Sequence, residues 1–176
     1  MKKHRYICAI ALVAGVTICA AAAAQESPLY FGLKAGQMDI DQSGFDTSSN
    51  FGLLLGYDLF RDVNGSLAIE AEYTRDISKG DVQIGAANGD WKIETLAAYG
   101  AYRTAGPIYL KAKAGYLSED ISVSGVSGTG VSGNDSGFSF GAGVGYYFNR
   151  KTGIEFEYTV IEQDVNFFSI GYFTHF

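Results

Sequence analysis

The sequence predicts an all-β protein, an eight-stranded antiparallel transmembrane β-barrel built as an up-and-down meander. Three observations lead to this prediction. The chain begins with a segment typical of export, eight later segments alternate between apolar and polar residues, and the polar face of those segments carries both charges and glycines. With 176 residues, of which 47% are hydrophobic, the chain is long enough for one domain with a sizeable core.

The first 24 residues have the layout of a Sec-type signal peptide. A basic head (residues 2–5) precedes an apolar run (residues 6–18) and a tail of alanines (residues 20–24). The apolar run is short for a membrane-spanning helix, and no basic flank follows it. We therefore expect cleavage after Ala24 and a barrel domain over residues 25–176.

The charge and cysteine content of the expected mature chain exclude two classes of function. Both cysteines, Cys8 and Cys19, lie in the signal segment, so the mature chain has no disulfide and no thiol chemistry. Removing that segment leaves 10 basic and 19 acidic residues, a net charge of −9. Such an acidic protein is unsuited to binding nucleic acid.

Period-2 alternation marks eight predicted strands after the signal segment. Each is about ten residues or slightly longer, the length that a tilted strand needs to cross a bilayer. The runs are 29–40, 50–60, 66–77, 90–103, 107–119, 137–148, 153–163 and 166–176.

The connections between the runs alternate in length. Short turns at residues 61–65, 104–106 and 149–152 follow runs two, four and six, and a tight link near Asp164 follows run seven. Longer polar connections follow runs one, three and five. This pattern predicts both termini and the short turns on the periplasmic side of a bacterial outer membrane. The longest connection, residues 120–136, is rich in Gly and Ser and is predicted to be a flexible tether.

One face of the predicted strands carries charged residues, and the other is apolar. In run three, for example, Glu70 and Glu72 oppose Ile69 and Ala71. The charged face also carries most of the glycines: Gly32, Gly36, Gly52, Gly56, Gly100, Gly115, Gly141, Gly143, Gly145 and Gly171. A soluble ligand-binding barrel would expose this face to water, and a water-exposed face does not require so many glycines. The narrow lumen of an eight-stranded membrane barrel does need small residues beside long ones.

Buried charges require partners of opposite sign, so the charged face predicts a network that fills the lumen. Its predicted members are Lys34, Glu70, Glu72, Lys92, Glu94, Lys111, Lys113, Glu155 and Glu157.

Aromatic residues are predicted to form two girdles where the apolar face meets the lipid headgroups. The periplasmic girdle contains Phe31, Tyr57, Tyr99, Tyr146, Phe148, Tyr172 and Phe176. The outer girdle contains Phe51, Tyr73, Trp91, Tyr116, Phe138, Tyr158 and Phe168.

The strands at residues 66–75 and 137–148, together with the terminal Phe176, carry a family resemblance. Over residues 25–176 the chain resembles the small outer-membrane β-barrel proteins, often called porin-like, which include the transmembrane domain of outer membrane protein A. The resemblance implies a location in the outer membrane, in contact with its lipid and lipopolysaccharide. It also implies periplasmic chaperones and the barrel-assembly machinery as partners in biogenesis.

The resemblance further implies a C-terminal assembly signal, read by that machinery. The residues that fit it are Phe168, Ile170, Tyr172 and Phe176. Thr174 departs from the family pattern, in which an aromatic or apolar residue is usual at this position.

Little in the sequence indicates catalysis or a cofactor. His175 is the only histidine of the expected mature chain, and no serine accompanies it at local spacing. The lumenal glutamates favour an ion-pair plug over a catalytic carboxylate dyad. Residues 39–46 resemble the start of a calcium loop, but Asn50 stands where the closing glutamate is required. We therefore predict no catalytic residue, no cofactor and no metal, and interpret this segment as an acidic turn, with calcium binding as the lesser alternative.

The functional prediction is a structural or surface-interaction protein whose barrel is plugged. One alternative is a narrow channel for small solutes or ions, which requires gaps or rearrangeable pairs in the lumen. A second is an adhesin or immune-evasion factor acting through its outer loops. An outer-membrane enzyme ranks third, because a single mature histidine argues against it. Acidic loops also disfavour sulfated polysaccharides as ligands.

Overall fold

The computed structural model describes residues 27–40, 47–78, 80–84, 87–124, 131–162 and 165–176. The predicted signal peptide (residues 1–24) lies outside these residues, and so does most of the calcium-like segment (residues 39–46). Within the described ranges, no helix is long and apolar enough to cross a membrane.

The described chain forms one antiparallel sheet that closes on itself. Its strands are β1 (Leu29–Ile40), β2 (Ser48–Arg61), β3 (Gly65–Ser78), β4 (Gly80–Ile84), β5 (Ala87–Thr104), β6 (Ile108–Ser124), β7 (Val131–Tyr147), β8 (Thr152–Glu162) and β9 (Val165–His175). Both β3 and β4 pair with β5, so they occupy one position of the wall. The wall therefore has eight positions in meander order. Because β1 pairs with β2 and also with β9, the barrel is closed, which confirms the predicted fold class.

The short turns, the start of β1 and the C-terminal residue Phe176 lie at one end of the barrel, which we call the turn end. It contains the β2–β3, β5–β6 and β7–β8 connections. In the first of these turns, the Asp62 carboxylate accepts the backbone N–H groups of Asn64 and Gly65, at 2.8 and 3.1 Å. In the second, Gly106 has a φ of +119°, which favours glycine. We call the opposite end, with the β1–β2, β4–β5, β6–β7 and β8–β9 connections, the loop end.

The prediction of a flexible tether over residues 120–136 is wrong at both ends of this segment, which are paired strands. Strand β6 continues to Ser124 and β7 begins at Val131, with Asp120 opposite Asn134 and Ser122 opposite Ser132. The polar sequence is compatible with a strand because the backbone hydrogen bonds of the β6–β7 ladder do not depend on an apolar face. Only residues 125–130 of the connection lie outside the described chain.

The outward face of the wall is apolar and exposed, as lipid contact requires. Leu55, Ile69, Leu96 and Leu110 are each more than half exposed on this face. The predicted girdle aromatics lie on the outer surface as well, with two exceptions. Trp91 and Tyr99 are buried inside the barrel, so their assignment to the girdles is corrected.

Candidate functional site: the charged interior of the barrel

Alternate residues of β1, β3, β6 and β8 place charged side chains inside the barrel. They are at most 4% exposed: Lys34, Glu70, Glu72, Lys111, Lys113, Glu155 and Glu157. The structure brings all seven together, and their ion pairs fill the interior.

Each of the three lysines is shared between carboxylates from different strands. The Lys111 Nζ lies 2.9 Å from an oxygen of each of Glu70, Glu155 and Glu157. The Lys113 Nζ lies 2.7 Å from Glu72 and 2.9 Å from Glu157. The Lys34 Nζ contacts the same two carboxylates, at 3.1 and 2.9 Å. The network therefore crosslinks β1, β3, β6 and β8 through the lumen.

Arg103 of β5 is a member of the network that the sequence analysis missed. Its guanidinium donates to Glu155 at 2.6 Å and to Glu70 at 2.5 Å. It also donates to the Tyr30 hydroxyl at 2.9 Å, and that hydroxyl donates to Glu70 at 2.7 Å. The Tyr109 hydroxyl donates to Glu155 at 2.8 Å. With Arg103 included, four cations face four carboxylates, and the network is neutral.

Lys92 and Glu94, which were predicted inside, face outward, and this part of the prediction is wrong. Glu94 pairs with Arg75 at 3.0 Å, and these side chains are 44% and 65% exposed. The inward face of β5 instead carries Trp91, Ile93 and, further along, Tyr99.

Charged residues do not mark the inner face along the whole of β5. Near the loop end the outward face leaves the hydrocarbon and meets water, where charges are stable. The predicted inward and outward faces of this strand are therefore interchanged, and Gly100 faces outward as well. Arg103, Ala101 and Tyr99 lie at alternate positions of β5 and share its inward face. The sequence, however, contains no signal that shows which of the two faces of β5 points inward.

Two buried apolar clusters flank the charged residues, one towards the loop end and one towards the turn end. The loop-end cluster contains Met38, Trp91, Ile93, Ala97, Tyr99, Leu117, Ile161, Val165 and Phe167. The turn-end cluster contains Tyr30, Leu54, Ala68, Tyr109 and Phe173, with Tyr147 packed against it. The network and the clusters are joined by cation–π contacts. The Lys113 Nζ lies 4.4 Å from the centre of the Tyr99 ring, and the Arg103 guanidinium lies 5.0 Å from that of Tyr30.

Inward glycines make room for these large side chains. A Cβ at Gly56 would lie 2.0 Å from the Tyr30 ring, and one at Gly145 would lie 2.2 Å from the Tyr109 ring. A Cβ at Gly143 would lie 2.5 Å from the backbone oxygen of Phe156 and 3.0 Å from the Cγ of Glu157. The glycines therefore accommodate the aromatic residues of the turn-end cluster as well as the charged residues.

The residues of the predicted assembly signal occupy the outward face of β9 and the C-terminus. Phe168, Ile170, Tyr172 and Phe176 are exposed there. Thr174 continues the same face, half-buried.

His175 lies on the inward face of β9 at the turn end, buried beside charged groups. Its Nε2 lies 3.1 Å from the Asp58 carboxylate and 2.9 Å from the Arg61 guanidinium. Its Nδ1 lies 3.2 Å from the backbone oxygen of Lys151. In the part of the chain that the structure covers, no group of three or more potential metal ligands comes together.

Solved structures of small barrels resemble this fold. Neisserial surface protein A has a TM-score of 0.60 and 17% identity, over 86% of this chain and 99% of that protein. Ail of Yersinia pestis has a TM-score of 0.58 and 15% identity, over 86% and 99%. The N-terminal barrel of Pseudomonas aeruginosa OprF has a TM-score of 0.52 and 16% identity, over 86% and 100%. At these identities the likeness concerns the fold.

No curated protein sequence matches this chain significantly. The family model described as the outer membrane protein beta-barrel domain matches residues 8–174, which is nearly the whole sequence. The protein therefore belongs to the outer-membrane β-barrel family and lies in the bacterial outer membrane.

Proposed function

We propose that the protein is a non-conducting, non-catalytic barrel that has a structural role and presents its loop end at the cell surface. The observation that carries this proposal is the filling of the lumen, where a neutral network of eight charges lies between two apolar clusters. A channel needs an open path through the barrel, and the described interior is instead filled by the charge network and by the buried side chains of both clusters. The narrow channel that the sequence left open is disfavoured for this reason.

The proposal also includes the orientation and the maturation of the chain. In bacterial barrels the short turns face the periplasm, so the turn end is proposed to be periplasmic and the loop end extracellular. Residues 1–24 are proposed to be a Sec-type signal peptide. The outward residues Phe168, Ile170, Tyr172 and Phe176 are proposed to be read by the barrel-assembly machinery after delivery by periplasmic chaperones. The outward face is proposed to contact lipid and lipopolysaccharide.

Planar bilayer recordings test whether the barrel conducts. We expect no discrete current steps from the purified, folded protein, because the lumen is blocked by apolar clusters on both sides of the charges. Folding of the sample is checked by a mobility difference between unboiled and boiled protein on SDS gels. Reproducible steps from folded protein, absent from boiled protein, would contradict the proposal and favour the channel.

The non-catalytic part of the proposal is supported by the surroundings of His175. Both of its ring nitrogens are directed to groups of the turn end, namely Lys151, Asp58 and Arg61. A histidine held in this way is not placed to activate a serine hydroxyl.

The β6–β7 hairpin supports a surface role. Beyond the girdle pair Tyr116 and Phe138, β6 continues for eight residues to Ser124, about 26 Å of strand at about 3.3 Å per residue. The hairpin therefore projects from the membrane with a paired backbone, and it carries Asp120 and Asp135 on its exposed surface.

The acidic loop end distinguishes this chain from a binder of sulfated polysaccharides. Ail has been crystallised in complex with the heparin analogue sucrose octasulfate. We expect no saturable binding of that compound here, because the exposed carboxylates repel sulfate groups. Binding of sucrose octasulfate is measured by isothermal titration calorimetry in an uncharged detergent at low salt. A variant with Asp120→Lys and Asp135→Lys serves as the comparison, and binding by the unmodified protein would refute the prediction.

A further inference from the structure

One edge of the β6–β7 hairpin has no neighbouring strand in the described chain. Strand β7 pairs with β6 along nearly its whole length, but with β8 only from Phe140 onward. Strand β8 ends at Glu162, and the chain turns back into β9 at Val165, so the wall is shorter on this side of the hairpin. Residues 131–137, which we call the free edge, therefore pair on one side alone among the described residues.

The glycines of β7 show the open space beside the free edge. A Cβ at Gly133 or Gly137 would meet no atom within 4 Å. On the same face of the paired part of β7, a Cβ at Gly141 would lie 2.9 Å from the backbone oxygen of Tyr158, which belongs to β8. The described structure therefore leaves room beside the free edge for a further strand.

The connections between the described ranges belong to other parts of the wall. Residues 125–130 link β6 to β7 at the tip of the hairpin, and residues 163–164 link β8 to β9. Residues 41–46 follow β1, which lies three wall positions from β7, beyond β8 and β9. A strand that pairs along seven residues is longer than the two-residue link beside the edge. We therefore assign the free edge to a partner from outside the chain.

The free edge lacks the features that keep exposed strand edges from pairing. Native proteins protect such edges with lysine, proline or a β-bulge. Residues 131–137 read Val-Ser-Gly-Asn-Asp-Ser-Gly and contain neither lysine nor proline. The β6–β7 ladder continues through them without a register shift. Their outward-directed backbone N–H and C=O groups are thus a template for an added strand.

The charge of the hairpin indicates a basic partner. Asp135 is exposed on the free edge and lies directly opposite Glu119 of β6. Like charges at directly opposed positions destabilise a strand pair, so a cation beside Asp135 offsets this repulsion. Asp120 supplies a third carboxylate, which accepts a hydrogen bond from the Asn134 side chain at 3.0 Å.

The described cations of the loop end lie on other strands. Arg75 of β3 pairs with Glu94 of β5 at 3.0 Å, and Lys92 of β5 is opposite Ser122 of β6. Strand β6 therefore separates both cations from the free edge. The same distribution disfavours a second copy of the chain as the partner, because its own Asp135 would be brought against these carboxylates.

We propose that the free edge binds an extended, basic segment of a partner protein by strand addition. Main-chain hydrogen bonds to β7 supply the affinity, and lysine or arginine side chains on the face of Asp135 and Glu119 supply the selectivity. The inference rests on the proposed function in one respect, which is the placement of the loop end outside the cell. The partner therefore meets the protein from the extracellular side.

The peptide Lys-Val-Lys-Thr-Lys-Val-Lys is a suitable probe, because its lysines share one face of a strand. The full mature chain is placed in nanodiscs of phosphatidylcholine, which has no net charge, and amide hydrogen exchange of β7 is followed by NMR. The peptide is expected to slow exchange at alternate residues of the free edge, about tenfold at a free concentration of about ten times Kd. The amides between them donate to β6 and are expected to stay unchanged. Protection without this alternation, or none at millimolar peptide, would overturn the proposal.

Two control peptides separate strand addition from simple attraction of charge. Lys-Val-Lys-Pro-Pro-Lys-Val-Lys keeps the four lysines, but its prolines lack the N–H groups of a ladder, so it is expected to give no protection. Glu-Val-Glu-Thr-Glu-Val-Glu is expected not to bind, because it carries the wrong sign. Equal protection by the proline peptide would overturn strand addition, and equal protection by the glutamate peptide would overturn the basic partner.

Charge variants test the position of the site. Asp135→Asn is expected to weaken binding of the lysine peptide up to about fivefold, the effect of losing an exposed ion pair. Asp39→Asn removes the same charge from an exposed position of β1 and is expected to leave the affinity unchanged. Equal weakening by the two variants would overturn the assignment to the free edge. Alternate protection that rises with protein concentration, without peptide, would overturn it in favour of a second copy.

Surface labelling separates this inference from the proposed orientation. The mature chain is expected to contain no cysteine, so Ser136→Cys supplies a single thiol on the free edge. A membrane-impermeant maleimide is expected to label it on intact cells. Failure of labelling, with peptide binding retained in nanodiscs, would overturn the extracellular partner together with the proposed orientation. Efficient labelling without peptide binding would overturn strand addition alone and leave the proposed function intact.

Discussion

Replacing Lys111 with methionine is expected to lower the free energy of unfolding by about 3–5 kcal/mol. The ammonium group lies 2.9 Å from Glu70, Glu155 and Glu157, in the middle of the lumen. Methionine fills similar space without the charge, so three buried carboxylates lose a shared partner. The cost comes mainly from these uncompensated charges and not from the loss of an attractive contact.

Urea unfolding from detergent or lipid vesicles measures this change. The fluorescence of Trp91, the single tryptophan, reports it because that side chain is fully buried in the loop-end cluster. Lys151→Met, on an exposed turn, is the matched control and is expected to change stability by less than about 0.5 kcal/mol. Adding Glu157→Gln to Lys111→Met should restore part of the loss. If Lys111→Met alone lowered the free energy of unfolding by less than about 1 kcal/mol, the predicted cost of the uncompensated carboxylates would be contradicted.

Replacing Gly115 with alanine is expected to destabilise the barrel by about 3 kcal/mol or more. A Cβ at this position would lie 1.9 Å from the backbone oxygen of Ala98 and 2.8 Å from the Cα of Tyr99. Both atoms belong to the backbone of β5, which pairs with β6 along its length, so they cannot move aside as a flexible side chain would. Relief requires the two strands to separate locally.

Gly137 of β7 provides the control, because a Cβ there would meet no atom within 4 Å. Gly137→Ala is expected to be neutral or slightly stabilising, since alanine reduces the freedom of the unfolded chain. The temperature at which the fast-migrating folded band disappears from SDS gels compares the two variants. Similar temperatures for Gly115→Ala and the unmodified protein would rule out the predicted strain.

The fold could be predicted from the sequence because a membrane barrel imposes two simple constraints. Alternate residues must be apolar to face lipid, and about ten residues must separate the turns. Strands β3, β6 and β8 show the first constraint most clearly, since their glutamates and lysines alternate with apolar residues such as Ile69, Leu110 and Phe156. In these strands the charged residues lie in the middle of the span, where only the lumen can accept them.

The ends of the strands were predicted less well. Polar residues beyond the hydrocarbon are stable on either face, so Lys92 and Glu94 carry no information about which way β5 faces. The same lack of constraint allows residues 120–124 and 131–136 to continue as paired strands instead of a loop.

From the sequence alone the number and order of the strands could be predicted, together with seven of the nine glutamates and lysines assigned to the interior, because bilayer thickness and the cost of charge in lipid act on each strand separately. The tertiary structure was needed to show that Arg103 neutralises the network and that an apolar cluster lies on each side of it. These features depend on the phase and register between neighbouring strands. A shift of one residue moves a side chain to the other face, and no local pattern in the sequence fixes that shift.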